Sequence, residues 1–221
     1  MAAALPRLAV FDCDGTLVDS QANICRAMEE AFVTADLPPP SRAATRRIVG
    51  LSLVEAMRAL WPEGTDTQHR ALANGYADAY QRLRATASLN DEPLFEGVAD
   101  ALVTSHTQGW LLGVATGKSD RGLAHVLARH GIADLFVTLQ TADRHPSKPD
   151  PAMLNAALAQ AGVEPHRAAM IGDTSFDMAM ARAAGVRAVG VAWGYHSVTE
   201  LADAGADVIA EHASELPGLL A

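Results

Sequence analysis

The chain has 221 residues, 49% of them apolar, and a formal net charge of −9. This length allows one large domain or a domain with a sizeable insertion, and the apolar share is enough for a full core. The negative balance argues against a nucleic-acid surface, which needs clustered Lys and Arg against phosphates, so an anionic substrate has to be held by local positive charge or by a metal.

In chain order, the first apolar run is Leu8–Phe11, closed by Asp12-Cys13-Asp14-Gly15-Thr16. It reads as a buried strand ending in a tight turn. Alternation along a strand predicts that Asp12 and Asp14 point to one side. Two like charges so close are unfavourable unless a cation or an incoming substrate uses them. From about Gln21 to Pro93 strand patterns are missing, and helical patterns cover Ala22–Ala35, Ser41–Leu60 and Thr67–Thr86. Pro38-Pro39-Pro40 reads as a rigid connection between helices. The stretch is expected to be a helical domain, residues 20–93, inserted into a core of 1–19 and 94–221. Asp19–Ser20 and Asp91–Gly97 would be its hinges.

Beyond it, strand-like runs at Trp110–Ala115, Leu135–Leu139, Ala168–Ile171 and Ala188–Val191 alternate with helical patterns at Val98–Thr107, Asp120–His130, Pro151–Ala161, Phe176–Ala184 and Val198–Ala204. Asp207–Ile209 fits an edge strand. Short apolar strands alternating with helices predict an α/β fold with a Rossmann-like parallel sheet. Asp150-Pro151 is a helix start, and Gly162 can close that helix. An insertion after the first strand would hang over the carboxyl ends of the strands, where open parallel sheets bind ligands.

Four polar clusters fall just after predicted strands. They are Asp12/Asp14/Thr16, Thr116-Gly117-Lys118-Ser119, the loop containing Lys148, and Gly172–Asp177. A parallel sheet brings all four to one rim. Carboxylates there suit a hard cation, and lysine and hydroxyl donors suit the oxygens of a phosphoryl group. Lys118 and Lys148 are the only lysines beside fifteen arginines; Lys118 fits a surface position as well as a site position.

In their order and spacing DCDGTLVDS, VATGKS, SKPDPAML and IGDTSFDM resemble the haloacid dehalogenase superfamily, in particular its phosphoglycolate phosphatase-like members with a helical cap; GVAWGYH, Gly190–His196, is similar to the same branch. The resemblance covers nearly the whole chain. It implies Asp12 as nucleophile forming an aspartyl-phosphate and Asp14 as general acid, then base. It implies Thr116 and Lys148 as phosphoryl ligands, with Lys148 tempering the charge on Asp12. Mg²⁺ would be held by Asp12, the backbone carbonyl of Asp14, and Asp173, with Asp177 completing the acidic site directly or through a water. Thr16, Gly117 and Lys118 are further candidates for phosphate or substrate contact. Gly117 stands where relatives often carry Asn, which leaves a backbone N–H free to approach a phosphate oxygen. Arg46 and Arg47 precede Val49–Ser52, a segment that faces the substrate in relatives, and either could bind a second anionic group. Of the eight histidines only His196, near the rim, invites a test.

The reading is therefore a Mg²⁺-dependent phosphomonoesterase for a small phosphorylated metabolite, phosphoglycolate by resemblance. A phosphomutase or pyrophosphatase of the same fold shares the four clusters. A phospho-aspartate receiver domain would be shorter and without the insertion. Asp14 argues against a dehalogenase, the lysine-free cap against a phosphonoacetaldehyde hydrolase, and Cys13 after Asp12 against a P-type ATPase. Cys13 and Cys25 are expected as free thiols in a reducing compartment. The amino terminus lacks a basic region followed by a long apolar stretch, and no apolar run approaches the ~18–20 residues of a membrane span. A cytoplasmic monomer or homodimer with no membrane partner is expected.

Overall fold

Strand β1 (Arg7–Phe11) is central, paired with β2 (Trp110–Thr116) on one side and β4 (Ala168–Gly172) on the other. Outside them lie β3 (Phe136–Thr141), β5 (Arg187–Val191) and β6 (Val208–Ala210). The order is β3-β2-β1-β4-β5-β6 and every pairing is parallel. This computed structural model describes residues 5–86, 89 and 91–221; residues 1–4 of the amino-terminal stretch considered above lie outside them.

The sheet is buried on both faces, so its strands read as apolar runs. Period-2 alternation divides them: Ala9 and Phe11 enter one core cluster, Leu8 and Val10 the other. The first is covered by α5 (Val98–Thr107), α6 (Asp120–Arg129) and α10 (Leu216–Leu220); the second by α7 (Ala152–Ala161), α8 (Ser175–Ala184) and α9 (Val198–Asp203). Full burial of one such aliphatic or aromatic side chain stabilises by roughly 1.5–3 kcal/mol. The α/β class and the predicted strands are what the structure has. α10 was not foreseen, because Pro217 interrupts its short pattern.

Among the described residues, the elements between β1 and α5 are helices: α1 (Gln21–Thr34), α2 (Arg42–Ile48), α3 (Leu53–Leu60) and α4 (Asp66–Ala85). They share their own apolar cluster, with Ile24, Met28 and Phe32 at four-residue spacing on α1 facing Leu72, Tyr76 and Leu83 of α4. The chain enters and leaves this unit side by side: Asp19 N–H donates to the Pro93 carbonyl at 2.9 Å and Phe95 N–H to the Leu17 carbonyl at 3.0 Å.

The single helical pattern expected over Ser41–Leu60 is two helices. Val49 is extended (φ −61°, ψ 140°) and Gly50 has φ +99°, a left-handed conformation that favours glycine. A contact in space fixes the break. The 49–52 loop reaches the core, where Ser52 N–H donates to Ser147 Oγ at 2.8 Å, beside Lys148.

Candidate active site

The sheet carries Asp12, Thr116 and Asp173 at the carboxyl ends of β1, β2 and β4, and the β3–α7 connection brings Lys148 among them. Asp12, Asp173 and Asp177 are buried and offer carboxylate oxygens within 4.8 Å of one another. Lys148 Nζ lies 2.7 Å from Asp12 Oδ1 and 2.6 Å from Asp177 Oδ1, with its side chain wholly buried.

The carboxylates are not equivalent. Asp177 Oδ2 accepts from the N–H and the hydroxyl of Thr174 at 3.0 and 2.7 Å, closing a capping box on α8. Asp173 accepts from the Thr16 hydroxyl at 2.8 Å and from Tyr195 N–H at 2.9 Å. Asp12 has the ion pair to Lys148 at Oδ1, while Oδ2 has no hydrogen-bond partner among the described residues. Thr16, expected toward substrate, uses its hydroxyl to orient Asp173.

Three carboxylates against one ammonium leave two formal negative charges in a buried pocket. Burial pushes the Asp12 carboxyl up to about 7; Asp177 and Asp14 add to this, and Lys148 opposes it. Burial also raises Asp173 well above the ordinary carboxylate range, with Asp12 and Asp177 adding to it. Burial alone would discharge Lys148, but Asp12 and Asp177 outweigh it and hold the ammonium protonated. A divalent cation would balance that charge. An all-oxygen donor set with one bare oxygen, Asp12 Oδ2, fits Mg²⁺.

Asp14 departs from the strand alternation. Its side chain receives Lys118 Nζ at 2.6 Å and the Ser20 hydroxyl, and Ser20 in turn lies 3.4 Å from the Tyr195 hydroxyl. Asp12 and Asp14 thus belong to adjacent groups, one braced by Lys148 and the other by Lys118. The side chain of Lys118 is only 12% exposed, so it is not a surface lysine. Thr116 is buried, and its hydroxyl accepts from Lys118 N–H at 3.2 Å.

At Gly117 a β-carbon would lie 2.6 Å from the Leu51 carbonyl oxygen and 2.7 Å from that of Gly50. The missing side chain lets the 49–52 loop close on the rim. Gly117→Ala is therefore expected to push the loop off and raise KM, with an overpacking cost of roughly 1–3 kcal/mol. Steady-state kinetics and urea unfolding check this; unchanged values of both would remove the contact's importance.

Arg46 and Arg47 are exposed, and Arg47 Nη2 pairs with Glu200 Oε1 at 2.5 Å. His196 is buried and bridges two elements. Its Nδ1 accepts from Ser175 N–H at 3.1 Å, and Nε2 lies 3.3 Å from the Arg47 carbonyl. Ser20, Ser147 and Tyr195 were missed as single residues, although Tyr195 lies in the GVAWGYH segment. Serines in loops carry no signal of the partner they meet.

Above the rim, between it and the helical unit, lies a cavity of about 150 Å³. Asp14, Gly117 and Lys118 form its floor, side chains of α1, α3 and α4 its walls.

Buried acids, a buried lysine and a roofed cavity at the carboxyl rim of a parallel sheet form an enzyme's arrangement. The model of the haloacid dehalogenase-like hydrolases matches residues 9–191, and the chain belongs to that family. The protein called probable phosphatase IndB, of Dickeya dadantii, is 34% identical over 215 residues, 96% of this chain and 92% of its own. A phosphoglycolate phosphatase of Pseudomonas putida is 32% identical over 196 residues, 87% of this chain and 71% of its own. A solved hydrolase structure from Pseudomonas syringae superposes with a TM-score of 0.83 at 27% identity, over 96% of each chain. No helix among the described residues is long and apolar enough to cross a membrane.

Proposed function

We propose that the chain is a Mg²⁺-dependent phosphomonoesterase that hydrolyses a small phosphorylated metabolite through an aspartyl-phosphate. The observation that carries this reading is the bare Oδ2 of Asp12, on a carboxylate braced by Lys148 at the mouth of β1. The names of the relatives support phosphomonoester chemistry and make phosphoglycolate the reference compound.

In this reading Asp12 Oδ2 attacks phosphorus and the bond from phosphorus to the alcohol oxygen breaks. Asp14, held by Lys118 and Ser20, protonates the leaving oxygen. Asp14 then takes a proton from the water that attacks the phosphoryl group, releasing phosphate and Asp12. Lys148, the Thr116 hydroxyl and the Gly117 N–H hold the non-bridging oxygens. Asp12, Asp173 and the Asp14 carbonyl would hold Mg²⁺, with Asp177 completing the set. The ion, when bound, supplies positive charge against repulsion between the carboxylate and the phosphate. Residues 20–93 act as a cap that excludes water, and 1–19 with 94–221 form the catalytic core.

The test is a panel of phosphorylated metabolites, phosphoglycolate included, assayed for released phosphate with and without EDTA. Metal-dependent release from at least one compound is expected; release that ignores EDTA contradicts the metal. Asp14→Asn is expected to lower kcat/KM by roughly 10²–10⁴ for an alkyl ester. The loss is smaller for p-nitrophenyl phosphate, whose leaving group needs little protonation. Equal losses on both esters would remove the acid role.

A further inference from the structure

We propose that the alcohol released at this site carries an apolar body of about benzene size, aromatic or branched, rather than a two-carbon carboxylate. The inference rests on the phosphomonoesterase reading, because it concerns the leaving group of that same reaction.

The cavity starts at Asp14, the acid placed to protonate the leaving oxygen, so whatever hangs from that oxygen enters it. Its walls are Ile24 and Met28 from α1, Val49 and Leu53 around the 49–52 loop, and Tyr76 from α4. Its volume is about 150 Å³, and a cavity of that size lined by aliphatic side chains holds a benzene ring. Met28, unbranched and polarisable, suits the flat face of a ring.

The cations are in the wrong places for a short second anion. Among the described residues the basic side chains lining the cavity are Lys118, Arg84 and Arg121. Lys118 is matched by Asp14 at 2.6 Å. Arg84 sits over the Tyr80 ring at 5.3 Å, and Arg121 donates to Gln81 at 3.2 Å. Both mark the outer mouth, where Gln81 and Arg121 are exposed. A carboxylate two carbons from phosphorus would lie among largely apolar walls, with Lys118, held at Asp14, as its one near cation, so its desolvation is recovered only in part. Arg46 and Arg47, the arginines beside the loop in sequence, do not reach the cavity.

The experiment compares kcat/KM for Mg²⁺-dependent phosphate release from benzyl phosphate, ethyl phosphate and 2-phosphoglycolate by the intact protein. Benzyl phosphate is expected to exceed each of the others roughly tenfold or more, since even single methylenes in a fitted apolar pocket discriminate at that level. Phosphoglycolate equal to or better than benzyl phosphate overturns the inference and leaves the phosphomonoesterase reading standing; no release from any of the three also overturns the inference, and the metabolite panel then decides the phosphomonoesterase reading by itself. Ala77→Phe, on the half-buried cavity face of α4, is expected to lower the benzyl-to-ethyl ratio roughly tenfold by filling the ring's space. An unchanged ratio in a folded variant also overturns it.

Discussion

Asp12→Asn is expected to lower phosphate release at least about 10⁴-fold, the scale on which removal of a nucleophile acts. Amide and carboxylate have the same shape, so the packing around β1 should survive. The charge balance argues that the variant is no less stable. In the folded protein the Asp12 carboxyl is pushed up to about 7 by burial and by its acidic neighbours. An acid whose folded pKa lies above its ordinary value opposes folding at neutral pH, and a neutral amide removes that opposition. Lys148 keeps Asp177 as its partner. Under the proposed reaction Asp173 and Asp177 would still hold Mg²⁺, so calorimetry should register binding, weakened by the lost charge. Turnover of p-nitrophenyl phosphate above about a hundredth of wild type would remove Asp12 as nucleophile, because no substitute of matching chemistry could act at that rate.

Lys148→Met should act on both activity and stability. The side chain is fully buried, and its ammonium meets Asp12 and Asp177. Methionine fills similar space but leaves two carboxylates facing each other and Asp173 without a cation. Breaking a buried pair by removing one partner costs about 3–5 kcal/mol. Proton uptake by the acids recovers part of this, so urea unfolding near neutral pH should show the lower end of the range. Millimolar Mg²⁺ should recover more, because a ligand bound only to the folded state stabilises it by mass action. A stability loss below about 1 kcal/mol would mean that Lys148 is not the main counter-charge of the cluster. Activity should fall at any Mg²⁺ concentration, since the lysine also holds phosphoryl oxygens in the proposed reaction.

The sheet was legible because strands buried on both faces leave an apolar run with nothing else to explain it. The rim followed from the same fact, as polar clusters placed after those runs have one place to go. Asp14 shows where local rules stop. Alternation put it beside Asp12, yet β1 ends at Phe11 and the turn that follows aims Asp14 at Lys118 instead. Lys118 was ambiguous for the same reason, since its partner lies 104 positions away. The break between α2 and α3 was hidden inside a helical pattern, because the contact of Gly50 and Leu51 with Gly117 decides it. Arg46 and Arg47 looked suited to substrate from their nearness in sequence to the 49–52 loop. Helix α2 ends with Arg47 turned to Glu200, whose carboxyl is held down to about 2 by Ser197 and by this arginine. The cavity gathers residues from five helices and three loops, and no single segment shows it.

The most direct measurement is rapid acid quenching of the enzyme during turnover of ³²P-labelled p-nitrophenyl phosphate, followed by peptide mapping. Label on the peptide containing Asp12, appearing before free phosphate and accumulating further in Asp14→Asn, is the result expected. Turnover without protein-bound label, or label on a residue other than Asp12, would contradict a reaction that passes through this carboxylate.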